Sequence, residues 1–432
     1  MNSIECRGKA ALPMAELDLA FGHGGVAFIS PANPYYMDMV VESVVTAADG
    51  TIYVCGTDAN EDGTSLVYLV AAFNADGSPS IGFGDRGVVR RTFYKHGDRD
   101  ADAMGNRVLL LDDGNLLVFG GVEVDSGSGK AYFAMAKMDR QGRLISDFGD
   151  SGNLVIPLLC NGEEYQTRFV VGLDIALHGG WLYVAASLNK DIPGEEPAFH
   201  IYTGLFKVSL DGIQDQAFGN NGMIITSGPS MREGYTPNSI VIAEDRLTVI
   251  GTDNEGEIAP YRRWVMMRYL LDGKTDGDFG KDGRILDHED PVNFVLGTHL
   301  LRSTSGHLLA HVGAGLGQEG RMLRVAGDQL DASFGEAGVV RIPPVNFAGF
   351  KEMLGERRMI GVSAASDALA RLLPTGNLDP EFGENGYASV RLPSSSQRVN
   401  GVVIDCAGGA IVYGQLGLDG VRGCYLARYL VR

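Results

Sequence analysis

The pattern Phe-Gly-x-x-Gly occurs seven times in this chain, starting at Phe21, Phe83, Phe148, Phe218, Phe279, Phe334 and Phe382. Successive phenylalanines lie 62, 65, 70, 61, 55 and 48 residues apart. A unit of about 60 residues is therefore repeated along almost all of the 432 residues, with its length changing in loops. Each interval follows one plan. "MVVESVVTAADG" leads into "TIYVCGTD", a variable loop follows, and "SLVYLVAAFNADG" leads into the next Phe-Gly. The later intervals repeat it, as in "NSIVIAED", "RLTVIGTD" and "RWVMMRYLLDG". Short runs rich in Val, Ile, Leu and Tyr, bounded by Asp-Gly, Gly-Gly or Ser-Gly, read as strands joined by tight hairpins. No stretch carries a long helical period. The chain holds 60 glycines, about twice the usual share of roughly 7%, which is what so many tight turns require.

With the residues that follow each motif ("VAFI", "VVRRTF", "NLVIPL"), a unit contains about four antiparallel strands. Four-stranded units repeated in series predict the blades of a β-propeller. The chain ends decide between a closed ring and an open array. The C-terminal "LARYLVR" aligns with "MMRYLLD", and Arg432 then corresponds to Asp272, seven residues before Phe279. Seven residues before Phe21 is Met14. The last unit is thus split between the two ends, and joining the halves leaves no large exposed sheet edge. The expectation is an all-β, seven-bladed propeller over residues 14–432, preceded by an extension over 1–13.

The motif itself reads as structural. Phe can plug a gap between neighbouring blades, burying roughly 150–250 Å², and glycine allows close backbone approach and left-handed turns. Asp stands three residues before the Phe in five copies, at Asp18, Asp215, Asp276, Asp331 and Asp379. There it can accept hydrogen bonds from the backbone of the turn. Ser80 can do the same, and Ile145 cannot. "TGNLDPEFGENGYASV" and "DGIQDQAFGNNGMIIT" resemble the delta-60 repeat family of bacteria, and the resemblance spans essentially the whole chain after the first dozen residues. It implies propeller units of this length. It brings no common activity and no catalytic residues.

Composition narrows the partners. Asp and Glu outnumber Lys and Arg by 54 to 36, a formal charge of −18. Such a chain is repelled by phosphate backbones, so nucleic acid is not expected as a partner. No run approaches the 18 or more apolar residues of a membrane span, and the N-terminus shows no secretory h-region, so a cytoplasmic location is expected. The five cysteines, Cys6, Cys55, Cys160, Cys406 and Cys424, are odd in number and lack a C-x-x-C spacing. They read as buried thiols rather than a disulfide or zinc framework.

Few motifs suggest chemistry. "GDSGN" at 149–153 is the third Phe-Gly-x-x-Gly with Asp150 and Ser151 in its variable slots. "GLGQEG" at 315–320 leads into a strand rather than the helix a dinucleotide site needs. "GSGKA" at 127–131 lacks the rest of a phosphate loop. In "DANEDG", Asp58, Asn60 and Asp62 alternate ahead of Gly63 as in the first half of an EF-hand-type calcium loop, but Leu69 occupies the twelfth position where Glu is needed. These three residues are the calcium candidate, with Asp98, Asp100 and Asp102 a second acidic group. His307 and His311 are four apart, about 13 Å on a strand, too far to share a metal. The insertion "NKDIPGEEPAFH", with Trp181, Trp264 and Tyr35-Tyr36, is the stretch suited to recognition. The function expected is that of a non-enzymatic binding or scaffolding propeller presenting loops on one face to a protein or carbohydrate ligand. The alternative is a metal-assisted hydrolase or lyase with carboxylates from several blades meeting at the central channel.

Overall fold

A computed structural model describes residues 14–431 except 36–38, 125–130, 168–173, 192–198, 227–233, 255–262, 287–294, 315–318, 343–346, 364–365, 395 and 419–420. Every regular element among the described residues is a strand, and no helix is long and apolar enough to cross a membrane. Seven antiparallel blade sheets follow one another along the chain, the first six with their strands in sequence order, and two two-stranded hairpins stand in the connections after blades 1 and 2. Blade 1 is built from Val40–Thr46, Ile52–Ala59, Leu66–Phe73 and Val88–Arg91. Blades 2 to 6 begin with the inner strands Ala103–Leu110, Asp174–His178, Gly234–Ala243, Val295–Arg302 and Phe347–Glu352. Blade 7 takes Ser396–Ile404, Ala410–Leu418 and Val421–Leu430 from the C-terminal end.

The chain ends complete blade 7 together. Val26–Ile29 lies antiparallel to the third strand, pairing Val26 with Ala427 and Ile29 with Cys424. Glu16 and Leu17 pair with Leu430 and Tyr429 on the same strand. This is the ring closure that the split repeat predicts.

The motif phenylalanines hold the blades together. All seven are buried, at 0 to 7% exposure. Each plugs the seam toward the next blade. The amide of Gly22 donates to Asp76 O of blade 1 at 2.6 Å, Gly84 to Gln141 O at 2.8 Å, Gly219 to Asp272 O at 2.8 Å and Gly280 to Asp328 O at 2.7 Å. The residue before the last glycine of the motif has positive φ in every copy, including the non-glycine residues Arg86, Ser151, Asn221, Asp282, Ala337 and Asn385. The two glycine slots are thus parts of one tight left-handed turn.

The acidic residue of the motif acts twice. One oxygen caps the turn, as in Asp215 Oδ1 with the Ala217 amide at 3.0 Å and Asp379 Oδ1 with the Glu381 amide at 3.0 Å. The other holds a basic residue of the third strand: Arg428 with Asp18, Lys207 with Asp215, Arg268 with Asp276, Arg324 with Asp331 and Arg371 with Asp379, at 2.7 to 2.9 Å. Four of these guanidinium groups lie over the motif ring, 4.5 to 4.9 Å from its centroid, at Phe21, Phe279, Phe334 and Phe382, where the cation meets the negative face of the ring. All four continue to a backbone carbonyl of the next blade: Arg268 to Gly327, Arg324 to Pro374, Arg371 to Val431 and Arg428 to Ala75. In blades 1 and 2, where Ser80 and Ile145 replace the Asp, the basic position holds Ala72 and Lys137, and Lys137 turns to Asp113 instead.

This arrangement makes folding sensitive to acid. Burial would raise the Asp276 carboxyl, but Arg268 and Arg246 outweigh it and hold the group below its ordinary value. Asp331 is lowered by the Ser333 hydroxyl and amide, with Arg324 adding to them. A depressed native pKa contributes stability that is fully present above the unfolded value of about 3.9 and is lost as pH falls through the native one. Urea midpoints are expected to hold steady from neutral pH to about 4 and to fall steeply below it. Asp276→Asn should flatten that slope, and an unchanged slope would remove Asp276 from the account.

Candidate functional site: the central channel

The inner strands of all seven blades surround a cavity of about 700 Å³. Its polar lining is made by an irregularity of these strands. In six blades the inner strand carries one extra residue against its neighbour: at Glu42, Asn106, Asn238, Ala348 and Asn400 in blades 1, 2, 4, 6 and 7, and between Val295 and Thr298 in blade 5. A bulge of this kind re-aims a side chain out of the ladder, and Glu42, Asn238 and Asn400 line the cavity. The facing strand accommodates the kink with glycine. At Gly120, Gly251 and Gly414 any Cβ would collide with the carbonyl of the bulged strand, at Met104, Thr236 and Arg398.

Two asparagines are held by their neighbours. Asn400 Nδ2 donates to Val41 O at 2.8 Å, tying blade 7 to blade 1, and Asn238 Oδ1 accepts from Thr252 at 3.3 Å. Asp174 is fully engaged. One oxygen accepts from Ser239 Oγ at 2.9 Å and the Ile240 amide at 2.8 Å, and the other from its neighbour's amide at 3.0 Å, with Arg107 3.6 Å away. His299 contacts Phe347 O through Nε2 at 2.8 Å and stacks beside His311. Burial lowers the His299 pKa against a smaller opposing effect of that carbonyl, so the ring is neutral at pH 7.

Glu42 and Lys351 differ from the rest. Both open onto the channel, and among the described residues neither has a hydrogen-bond or ion-pair partner. Burial within the channel wall raises the Glu42 carboxyl, with Arg107 and Arg398 only partly offsetting it. The same enclosure lowers the Lys351 ammonium, Asp174 pulling the other way and Arg107 adding to the effect. Tyr413, also in the lining, has its phenol raised by burial.

The sequence-derived candidates lie elsewhere. Asp58 is buried, with Oδ2 bound to Arg90 Nε at 2.7 Å and the Ala32 amide at 3.0 Å, and Oδ1 to the Ala59 amide at 2.8 Å. Asn60 Oδ1 caps its own loop through the Thr64 amide at 2.9 Å. Asp62 sits at the exposed tip of that loop. Asp58 thus serves the ion pair with Arg90, and the three side chains do not converge. In the second acidic group Asp100 pairs with Lys95 and Asp102 accepts from the Leu66 amide. Among the described residues no three His, Cys, Asp or Glu side chains are grouped to hold a metal. Ser151 occupies the left-handed position of its turn, and its hydroxyl donates to Asp150. Most of "GSGKA" and "GLGQEG", the insertion at 192–198 and Tyr36 lie outside the described residues.

Of the aromatics, Trp264 is core at 2% exposure, Trp181 carries Lys207 over its ring at 4.5 Å, and Tyr35 is 93% exposed. Cys55, Cys160 and Cys424 are buried as expected, while Cys406 is exposed. The channel residues were missed because they follow no shared motif. The bulge glycines in "YVCGTD", "LVFGGVE", "VIGTD" and "IVYGQLG" were the available signal.

No protein-family model and no curated protein sequence matches the chain. Among solved structures, a protein of unknown function from Dyadobacter fermentans is similar at 12% identity and TM-score 0.43, over 94% of this chain and 100% of that one. The β-propeller domain of the Trilobed protease from Pyrococcus furiosus is similar at 9% identity and TM-score 0.46, over 90% and 94%. An α-L-arabinofuranosidase from Fusarium graminearum is similar at 8% identity and TM-score 0.44, over 94% and 97%.

Proposed function

We propose that this protein is a ligand-binding propeller, a unit of the delta-60 repeat type, whose channel receives the polar end of a glycan or peptide presented at the loop-bearing face. Strand direction alternates within a blade. The short Asp-Gly-type turns therefore gather on one face, and connections that lead on to the next blade, such as 92–102 and 157–167, gather on the other. The observation that carries the reading is the pair Glu42 and Lys351: opposite charges, open to the channel and without protein partners. A small number of placed polar groups in a preformed cavity is what fixes the orientation of a ligand.

Binding is favoured over hydrolysis because Asp174, the other carboxylate of the lining, has both oxygens held by protein donors. Two-carboxylate chemistry needs a second carboxyl able to reach substrate or water. Calorimetric titration of mono- and oligosaccharides and short peptides is expected to yield a binder that is recovered unchanged. Glu42→Gln should weaken it about tenfold, the loss of one hydrogen bond to a charged group. Conversion of a bound compound to product would make the protein an enzyme. A binder indifferent to Glu42→Gln would place the site outside the channel.

A further inference from the structure

We infer that the ligand received by the channel carries an anionic group, a carboxylate or a phosphate, and that Lys351 is its seat; this rests on the channel being the binding site. The charged groups lining the cavity are Arg107, Arg302, Lys351, Glu42 and Asp174. Arg107 stands beside Asp174, and Arg302 lies 3.9 Å from Glu244. Asp174, the acid that acts on Lys351, already holds Ser239 Oγ and the Ile240 amide besides Arg107.

Glu42 does not compensate Lys351. The cations acting on it are Arg107 and Arg398. In a chain with formal charge −18, the channel lining carries three cations against two carboxylates, and the Lys351 ammonium has no acceptor among the described residues. A cation that faces a channel with protein walls attracts an anion more strongly than one on an open surface, because the low-dielectric walls focus its field. Lys351 follows the bulge at Ala348 by three residues on the inner strand of blade 6, and the bulge sets which way the following residues of that strand point.

Inorganic phosphate and glucuronate are the probes, with glucose as the neutral control, titrated calorimetrically into the full chain. At least one anion should bind with one-to-one stoichiometry. That binding should weaken at least tenfold in Lys351→Met and survive in Lys351→Arg. Glucose should bind at least tenfold more weakly than glucuronate. Phosphate without glucuronate identifies a phosphate-bearing ligand, and the reverse identifies a carboxylate. Equal binding by both assigns the seat to anions generally. Absence of one-to-one binding by either anion, or binding that persists in Lys351→Met, overturns the inference. Glucose bound as well as glucuronate and lost in Glu42→Gln would overturn the anionic seat and leave the channel reading standing. Channel-independent binding of all three would sink both. Melting curves of the Met and Arg variants should coincide, which separates loss of the seat from loss of the fold.

Discussion

Asp379→Ala is expected to destabilise the ring by about 3–5 kcal/mol, the cost of stripping the partner from a buried charge. The Asp379 side chain is 1% exposed and that of Arg371 is 3% exposed, and they meet at 2.9 Å. Arg371 also lies over Phe382 and donates to Val431 O of the next blade at 3.0 Å. Removing the carboxylate leaves this guanidinium without its charge partner inside a seam that excludes water. It also leaves the Glu381 amide uncapped and takes away the acceptor of Arg358 at 3.3 Å. Blade 1, with Ala72 and Ser80 in the equivalent places, shows that a blade can be built with neither charge. The double substitution Arg371→Ala, Asp379→Ser should therefore cost less than the two single changes together. Equilibrium urea unfolding measures all of these. A loss below about 1 kcal/mol for Asp379→Ala, the range of an exposed pair, would show that the ion pair does not hold the seam.

Phe334→Ala is expected to cost about 3–5 kcal/mol, the range for deleting a packed aromatic from a core. Phe334 is 1% exposed and closes the seam between blades 5 and 6. Its neighbour there is Gly376, the turn glycine of blade 6, whose φ is +84°. A Cβ at Gly376 would come within 2.2 Å of Phe334 Cζ. Gly376→Ala alone should destabilise through both the left-handed backbone and the collision. In the Phe334→Ala background only the backbone part remains. The double variant should then be more stable than additivity predicts, by a coupling within the 0.5–3 kcal/mol usual for residues in contact. Strict additivity in a double-mutant cycle would mean that ring and turn do not touch in solution. The same contact recurs at Gly77 with Phe21 and at Gly142 with Phe83, where the added carbon would come within 2.9 and 3.1 Å of the ring. The Asp-Gly-type turn and the Phe-Gly motif are thus the two halves of one joint between consecutive blades.

That joint was half legible. Spacing exposes the Phe, the glycines and the Asp, and a reading in terms of turns accounts for one oxygen of each Asp. The second oxygen binds a basic residue eight positions earlier in Lys207–Asp215, Arg268–Asp276 and Arg371–Asp379, and seven earlier in Arg324–Asp331. The offset is regular enough to have been read from the chain. It was hidden because the basic residue lies in an apolar strand and meets its acid only when the third strand folds back against the turn. The Asp58 calcium candidate failed to converge for a related reason. Its alternating oxygens look like a loop, but Asp58 belongs to the end of a strand whose burial requires a charge partner, and Arg90 supplies it.

By itself the sequence determined the number of blades, the four-stranded plan and the joining of the two ends. Those features depend on short-range alternation and on turn chemistry that each unit repeats, so every copy reports them. Only the tertiary structure decided what faces the channel. Glu42, Arg107, Asp174, His299 and Lys351 come from five different blades, and several owe their direction to a single extra residue in an inner strand. A one-residue shift redirects a side chain without altering the repeat, and the groups it brings together share a cavity only once the ring has closed.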